Sequence, residues 1–241
     1  QSKNVAAEHP RRLELLKGLW FYYAGIYNGL PLDDLSALEQ VLAERPHAAA
    51  PRDQYVFYPG ASDVPESAGP SVNGRSYTVA AGVTVDSADV EGVIWAAGGV
   101  PGGHSLYVKD GRLRYTFNWI GTKLQDVVAD RSLTPGPHVC TAEFEAAGPS
   151  ADPAMPGTAG TLTLYVDDQA VGSGQIVTQP GYFCLTGDGI CVGRDSASAV
   201  TPAYDAPFAF TGGRIDKVVV DVSGERYVDH EAQVRGWFLI D

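Results

Sequence analysis

The sequence predicts a mainly-β sandwich, and three observations carry that prediction. Lys109-Asp110-Gly111-Arg112 stands between two alternating runs. Asp-Gly in that setting signals a tight hairpin, because a type I′ turn needs positive φ at both central residues. In the run that follows, Leu113, Tyr115 and Phe117 share one face while Arg112, Arg114 and Thr116 share the other. That is the period of a half-buried antiparallel strand. The same alternation recurs over residues 160–176 and along most of the chain, giving about a dozen short strands with turns roughly every ten residues.

Taken in order, residues 8–28 predict a helix. Pro10 suits its first turn, Leu13, Leu16, Trp20, Tyr23 and Tyr27 recur at three- and four-residue steps, and Asn28-Gly29 with Pro31 stop it. Trp20, Phe21, Tyr22 and Tyr23 in a row cover more than one helical face, so burial is expected on several sides, against the sandwich or against a further domain. A shorter helix is expected over 35–44, capped by Asp33 or Asp34, with Leu35, Leu38 and Leu42 on one side. At Pro51 the character changes, which places a helical segment at 1–50 and the sandwich at 51–241.

Strands are expected at 55–58, 76–85, 90–97, 104–108, 112–117, 124–129, 138–145, 161–167 with a return through Val171, 182–185, 190–193 and 216–222. In 138–145, Cys140, Ala142 and Phe144 point one way and Thr141, Glu143 and Glu145 the other. Leu162, Leu164 and Val166, then Val218, Val220 and Val222, point inward by the same rule. The Gly-, Pro- and Ser-rich stretch 59–74 and the Ala-, Gly- and Pro-rich stretch 146–160 read as loops, and 229–240 as a closing helix.

Composition bounds the function. A chain of 241 residues can bury a single large core, and 44% hydrophobic with 19% charged residues is a globular balance. The net charge of −12 argues against a nucleic-acid partner or an anionic membrane surface. No apolar run of about 18 residues is present to span a membrane. No leader follows Gln1 and a helix begins within ten residues, so the chain is expected to be a piece of a longer protein. Three cysteines, Cys140, Cys184 and Cys191, make no secreted disulfide framework and lean towards the cytoplasm. Cys184 and Cys191 could face each other across the Gly187-Asp188-Gly189 turn, or stand as buried free thiols in strands.

The pieces SYTVAAGVTV, GVIWAAGG, HSLYVKDGRLRYTFN, GTLTLYVDDQAVGSG, CVGRDS and FTGGRIDKVVVDV resemble the concanavalin A-like or laminin G-like jelly rolls. Together with NVAAEHPRRLELLKGLWFYYAGIYNGLPLDD they look like the C-terminal part of bacterial arylsulfatases, in which such a helix closes the sulfatase domain before a sandwich begins. The resemblance implies hydrolysis of sulfate esters by the whole enzyme, using formylglycine and Ca²⁺. It also implies that the sandwich packs on the catalytic domain of the same polypeptide and frames its entrance or a homo-oligomer contact.

The catalytic motif is absent here. Formylglycine arises from a Cys or Ser in C-x-P-x-R, but Cys140 is followed by Thr-Ala-Glu, Cys184 by Leu-Thr-Gly and Cys191 by Val-Gly-Arg. The family holds Ca²⁺ near D-D-x-G, whereas Asp33-Asp34 and Asp167-Asp168 are followed by Leu-Ser and Gln-Ala. They read as a helix cap and a hairpin turn. No catalytic residue and no metal ligand is therefore assigned to this chain.

The binding candidates are His104, Tyr107, Asn118 and Trp119. His104 follows the glycine-rich stretch 98–103, and Asn118-Trp119 falls at a strand end. Exposed, the four could line a groove for a sugar or an aryl ring, since aromatic faces stack on such ligands. Packed inside the sandwich, they would be core, with His104 bonded to a turn. Arg194-Asp195 reads as a local ion pair or turn rather than a catalytic pair, Asp188 as a turn residue or a Ca²⁺ ligand, and Glu143 with Glu145 as solvated carboxylates or a glycosidase pair. A stand-alone carbohydrate-binding, lectin-like module is the alternative to the arylsulfatase reading.

Overall fold

The computed structural model describes residues 4–27, 29–30, 50, 52–181, 188–196 and 198–224. The chain divides into two compact units, Gln1–Pro46 and His47–Asp241. The expected helices at 35–44 and 229–240, the strand at 182–185, Asp33-Asp34 and Cys184 lie outside the described residues.

In the first unit a 3₁₀ turn, Ala6–Glu8, leads into α1, Pro10–Ile26. Pro10 occupies the first turn, where its missing N–H costs nothing. The helix closes with the Tyr27 N–H on the Tyr23 carbonyl and the Gly29 N–H on the Ala24 carbonyl at 2.7 Å. Among the described residues, none of α1 is buried, and its aromatic run is exposed.

Among the described residues, the second unit is a jelly-roll sandwich of eleven strands in two antiparallel sheets. They are β1 Gln54–Phe57, β2 Tyr77–Val85, β3 Gly92–Gly99, β4 Gly102–Lys109, β5 Arg112–Trp119, β6 Lys123–Ser132, β7 Gly136–Pro149, β8 Thr158–Val166, β9 Gln169–Thr178, β10 Ile190–Val192 and β11 Gly213–Asp221. One sheet runs β1-β11-β2-β7-β8-β9 and the other β10-β3-β4-β5-β6. Strands β7 and β8 extend into the stretch expected as loop, leaving only residues 150–157 between them.

Alternation builds the core. In β2, Tyr77, Val79, Ala81, Val83 and Val85 point inward and are buried. Facing them across the sheets are Trp95, Leu106, Leu113, Tyr115 and Phe117. Asp110 and Gly111 have φ of 53° and 68°, the pair of positive values a type I′ turn requires. The Gln125 side chain donates to the Val177 carbonyl at 2.9 Å and accepts the Val177 N–H at 2.7 Å, tying the edge strand β6 to β9 of the other sheet.

The structure corrects one expectation about the central hairpin. The sequence reads β5 as half-buried, yet every residue of β3 is buried, as are seven of the eight in β4, and Thr116 and Asn118 of β5 are buried too. At β3, β4 and most of β5 both faces of this sheet are covered, while the edge strand β6 keeps an exposed side. The inner face meets the other sheet, and the outer face meets a long loop of the same chain.

Candidate functional site

The loop runs from β10 to β11 and lies as a strap over the outer face of the five-stranded sheet. Its backbone is held at several points. The Gly193 N–H donates to the Ile94 carbonyl at 3.2 Å, the Val93 N–H to the Phe208 carbonyl at 3.0 Å, and the Asp195 N–H to the Pro207 carbonyl at 2.9 Å. A separate apolar cluster forms beneath it, in which Val93, Ala96 and Tyr107 of the sheet pack against Val200 and Tyr204 of the strap. The Tyr204 ring meets Tyr107 edge-on at 5.1 Å and stacks on Phe208 at 5.0 Å.

Asp195 anchors this layer. Its carboxylate accepts the Ser196 N–H at 3.0 Å, the Val200 N–H at 3.1 Å and the Tyr204 hydroxyl at 2.6 Å. Burial pushes its pKa upward against the pull of those donors. The Tyr204 oxygen also stands 3.0 Å from Ser105 Oγ on β4. Burial and the adjacent Asp195 raise the Tyr204 pKa far above that of an ordinary tyrosine. Alongside, Tyr107 meets the Thr116 hydroxyl at 3.2 Å, and Thr116 donates to Asp126 on β6.

The four sequence candidates separate across the sheet. Tyr107 and Asn118 lie on the outer face under the strap, where the Asn118 amide donates to the carbonyls of Gly99, Val100 and Val200 at 3.0–3.2 Å. Its Oδ1 accepts the Gly121 N–H. His104 and Trp119 belong to the interior side. His104 Nδ1 is 2.8 Å from the Tyr115 hydroxyl, which is 2.6 Å from that of Tyr77. Burial lowers the His104 pKa to about 3, so the ring is neutral near pH 7. Trp119 Nε1 donates to the Pro156 carbonyl at 3.3 Å.

All four are at most 4% exposed, which corrects the expectation that they could line an open groove. The physical reason is the strap, which covers the outer face at Tyr107 and Asn118, and the close aromatic packing between the sheets. Sequence reasoning missed Asp195, Tyr204 and Ser105 as a connected set. The available signal was a carboxylate followed by a tyrosine nine residues on, in a segment with no alternation to make it a strand.

The other candidates also resolve. Arg194 turns away from Asp195 and donates to Ser62 Oγ at 2.8 Å. Asp188 accepts the Ser198 hydroxyl. Glu143 receives a hydrogen bond from Tyr165 on the outer face of the six-stranded sheet. Cys140 and Cys191 are buried free thiols, and burial pushes the Cys140 pKa up to about 12. Neither is placed to become a formylglycine. Asp167 forms the β8–β9 turn and bonds His138 and the Val139 N–H, as a turn residue would. Among the described residues, no three His, Cys, Asp or Glu side chains gather, and no helix is long and apolar enough to cross a membrane.

Fold and site together define a mainly-β jelly-roll sandwich in which a strap of the same chain covers the outer face of β3, β4 and β5. No family profile and no curated protein matches the chain. Among solved structures it is similar to mouse laminin alpha1 chain domains LG4-5, at 13% identity and a TM-score of 0.43, over 83% of this chain and 48% of that one. It is also similar to the Ruminococcus gnavus IT-sialidase CBM40 bound to alpha2,3 sialyllactose, at 11% identity and a TM-score of 0.44, over 77% and 96%. A third similarity is to the heptameric SAP-like pentraxin of Limulus polyphemus, at 12% identity and a TM-score of 0.36, over 77% and 82%.

Proposed function

We propose that this chain is the non-catalytic C-terminal portion of an arylsulfatase, its sandwich supporting the catalytic domain of the same polypeptide. Two features support the reading. The sequence resembles that junction over nearly its whole length, and the helix at the junction exposes its apolar side chains among the described residues. The observation that carries it is α1, whose Leu19, Trp20, Phe21, Tyr23 and Ile26 are all exposed, Trp20 at 48% and Phe21 at 55%. Exposed apolar faces of this kind mark interaction sites in stable proteins. Within the whole enzyme, formylglycine and Ca²⁺ would come from the preceding domain, because this sequence carries neither C-x-P-x-R nor D-D-x-G.

The second reading is a carbohydrate-binding, lectin-like module. It draws on the outer face of the six-stranded sheet, where Thr161, Thr163, Tyr165, Ser173 and Gln175 form a polar surface that is exposed or half-buried among the described residues. One experiment separates the two. The parent enzyme and its Trp20→Ser, Tyr23→Ser double variant are assayed for aryl-sulfate hydrolysis, and this chain is titrated calorimetrically with an oligosaccharide panel. The arylsulfatase reading expects hydrolysis by the parent, weakened in the variant, with no heat from the sugars. No hydrolysis by the parent, with saturable sugar binding by this chain, would replace it with the lectin reading.

A further inference from the structure

At one end of the sandwich His138 stands between two turns. It is the inward-pointing residue at the start of β7, paired with Val83 of β2 and only 11% exposed at its side chain. Its Nδ1 is 2.6 Å from Asp167 Oδ2 in the β8–β9 turn. Its Nε2 is 2.7 Å from the Thr134 carbonyl and 3.3 Å from the Thr134 hydroxyl, in the turn leading into β7. Asp167 is itself fixed, since its Oδ1 accepts the Val139 N–H at 2.9 Å and its N–H donates to the Val139 carbonyl at 3.0 Å.

Two of the three groups around the ring, the carboxylate and the carbonyl, can only accept. A neutral imidazole has one N–H and cannot serve both. The imidazolium has two and serves each. When the ring is neutral with its proton on Nδ1, the only group able to satisfy Nε2 is the Thr134 hydroxyl, which must then donate. The site therefore has two hydrogen-bonding arrangements that differ by one proton.

We propose that His138, Asp167 and Thr134 form a proton-operated latch. In the protonated state the ring ties the Thr134 carbonyl to the β8–β9 turn. In the deprotonated state the carbonyl is released and the Thr134 hydroxyl takes its place, loosening the turn before β7. The charged group facing the ring is Asp167. Behind it on β7 the Cys140 thiol stays protonated through burial, and the β2 partners Val83 and Thr84 carry no charge. Burial of the ring opposes protonation, while the hydrogen bonds to Asp167 and Thr134 and the Asp167 charge favour it and leave the His138 pKa raised; the same contacts lower that of Asp167.

The folded-state pKa is raised, so the latch stabilises below the unfolded value of about 6.5 and is lost as pH rises through the folded value. The test is a pH titration of the intact chain by NMR, reading the His138 ring nitrogens and the backbone amides of residues 133–136 and 167–169. The latch expects a midpoint above about 6.5, both ring nitrogens protonated below it, and amide shifts in both turns sharing that midpoint. Asp167→Asn should lower the midpoint by about one unit or more, and Thr134→Val, which removes the neutral-state donor, should raise it. A midpoint at or below the ordinary histidine value, or amides in the two turns that do not follow the ring, would overturn the proposal.

Discussion

His104 shows how one buried ring sets an acid limit on the fold. Its ring touches Trp95, Tyr77, Tyr115 and Phe117 at centroid distances of 5.8–6.2 Å, with no solvent to hydrate a charge. The folded pKa is about 3, against about 6.5 for an unfolded histidine. Between those values the unfolded chain holds a proton that the folded chain refuses. The contribution is therefore fully present above pH of about 6.5 and is lost as pH falls, at about 1.4 kcal/mol per pH unit. Carboxylates add their own pH dependence, so the comparison with a variant is what isolates the ring. Urea midpoints measured from neutral to acid pH should fall less steeply for His104→Gln than for the natural chain. Parallel curves would show that the ring is not held neutral. His138, at the rim and hydrogen-bonded on both nitrogens, responds in the opposite sense. The same residue type thus acts oppositely in two environments of one sheet sandwich.

The strap is the element that most alters how the sequence reads. Alternation made β2, β5, β7 and β8 legible, since one face of each is apolar and the register follows from that face. Asp110-Gly111 made the β4–β5 turn legible because few dipeptides accept positive φ twice. What stayed hidden was the cover on the outer face. Ser105, Thr116 and Asn118 look solvent-facing by their polarity, and nothing local to them announces that residues 195–208 return from far along the chain to bury them. Asp195 reads locally as an ion-pair or turn partner of Arg194, whereas it accepts from Ser196, Val200 and Tyr204 along the strap's own path. If the strap is held as described, Tyr204→Phe leaves the Asp195 carboxylate short of a donor in a buried setting. The expected cost is about 1–3 kcal/mol in denaturant unfolding, with faster amide exchange at Val200 and Val93. Unchanged stability and unchanged exchange would mean that packing of the ring alone secures the strap.

At the scale of the molecule, the two units differ in where their apolar surface goes. Every fully buried residue of both apolar clusters lies between Val72 and Val222, so the unit His47–Asp241 carries its own described core. α1 has the opposite character, with Leu15, Leu16, Leu19, Trp20, Phe21, Tyr22, Tyr23 and Ile26, and Tyr27 just past its end, all exposed. That surface is costly to leave in water at about 25 cal/mol per Å², and net repulsion from a charge of −12 works against its burial by random association. Two consequences follow for material in solution. Residues 47–241 alone should give a β-type circular dichroism spectrum and one cooperative unfolding transition. The full chain on its own should elute at a size that grows with concentration and with added salt, as screening removes the repulsion. Replacing Trp20, Phe21 and Tyr23 by serine should abolish that growth while leaving the β-type spectrum intact. A full chain that stays monomeric in high salt would mean that the aromatic face of α1 is not an interaction surface, and the arylsulfatase reading would lose its main structural support.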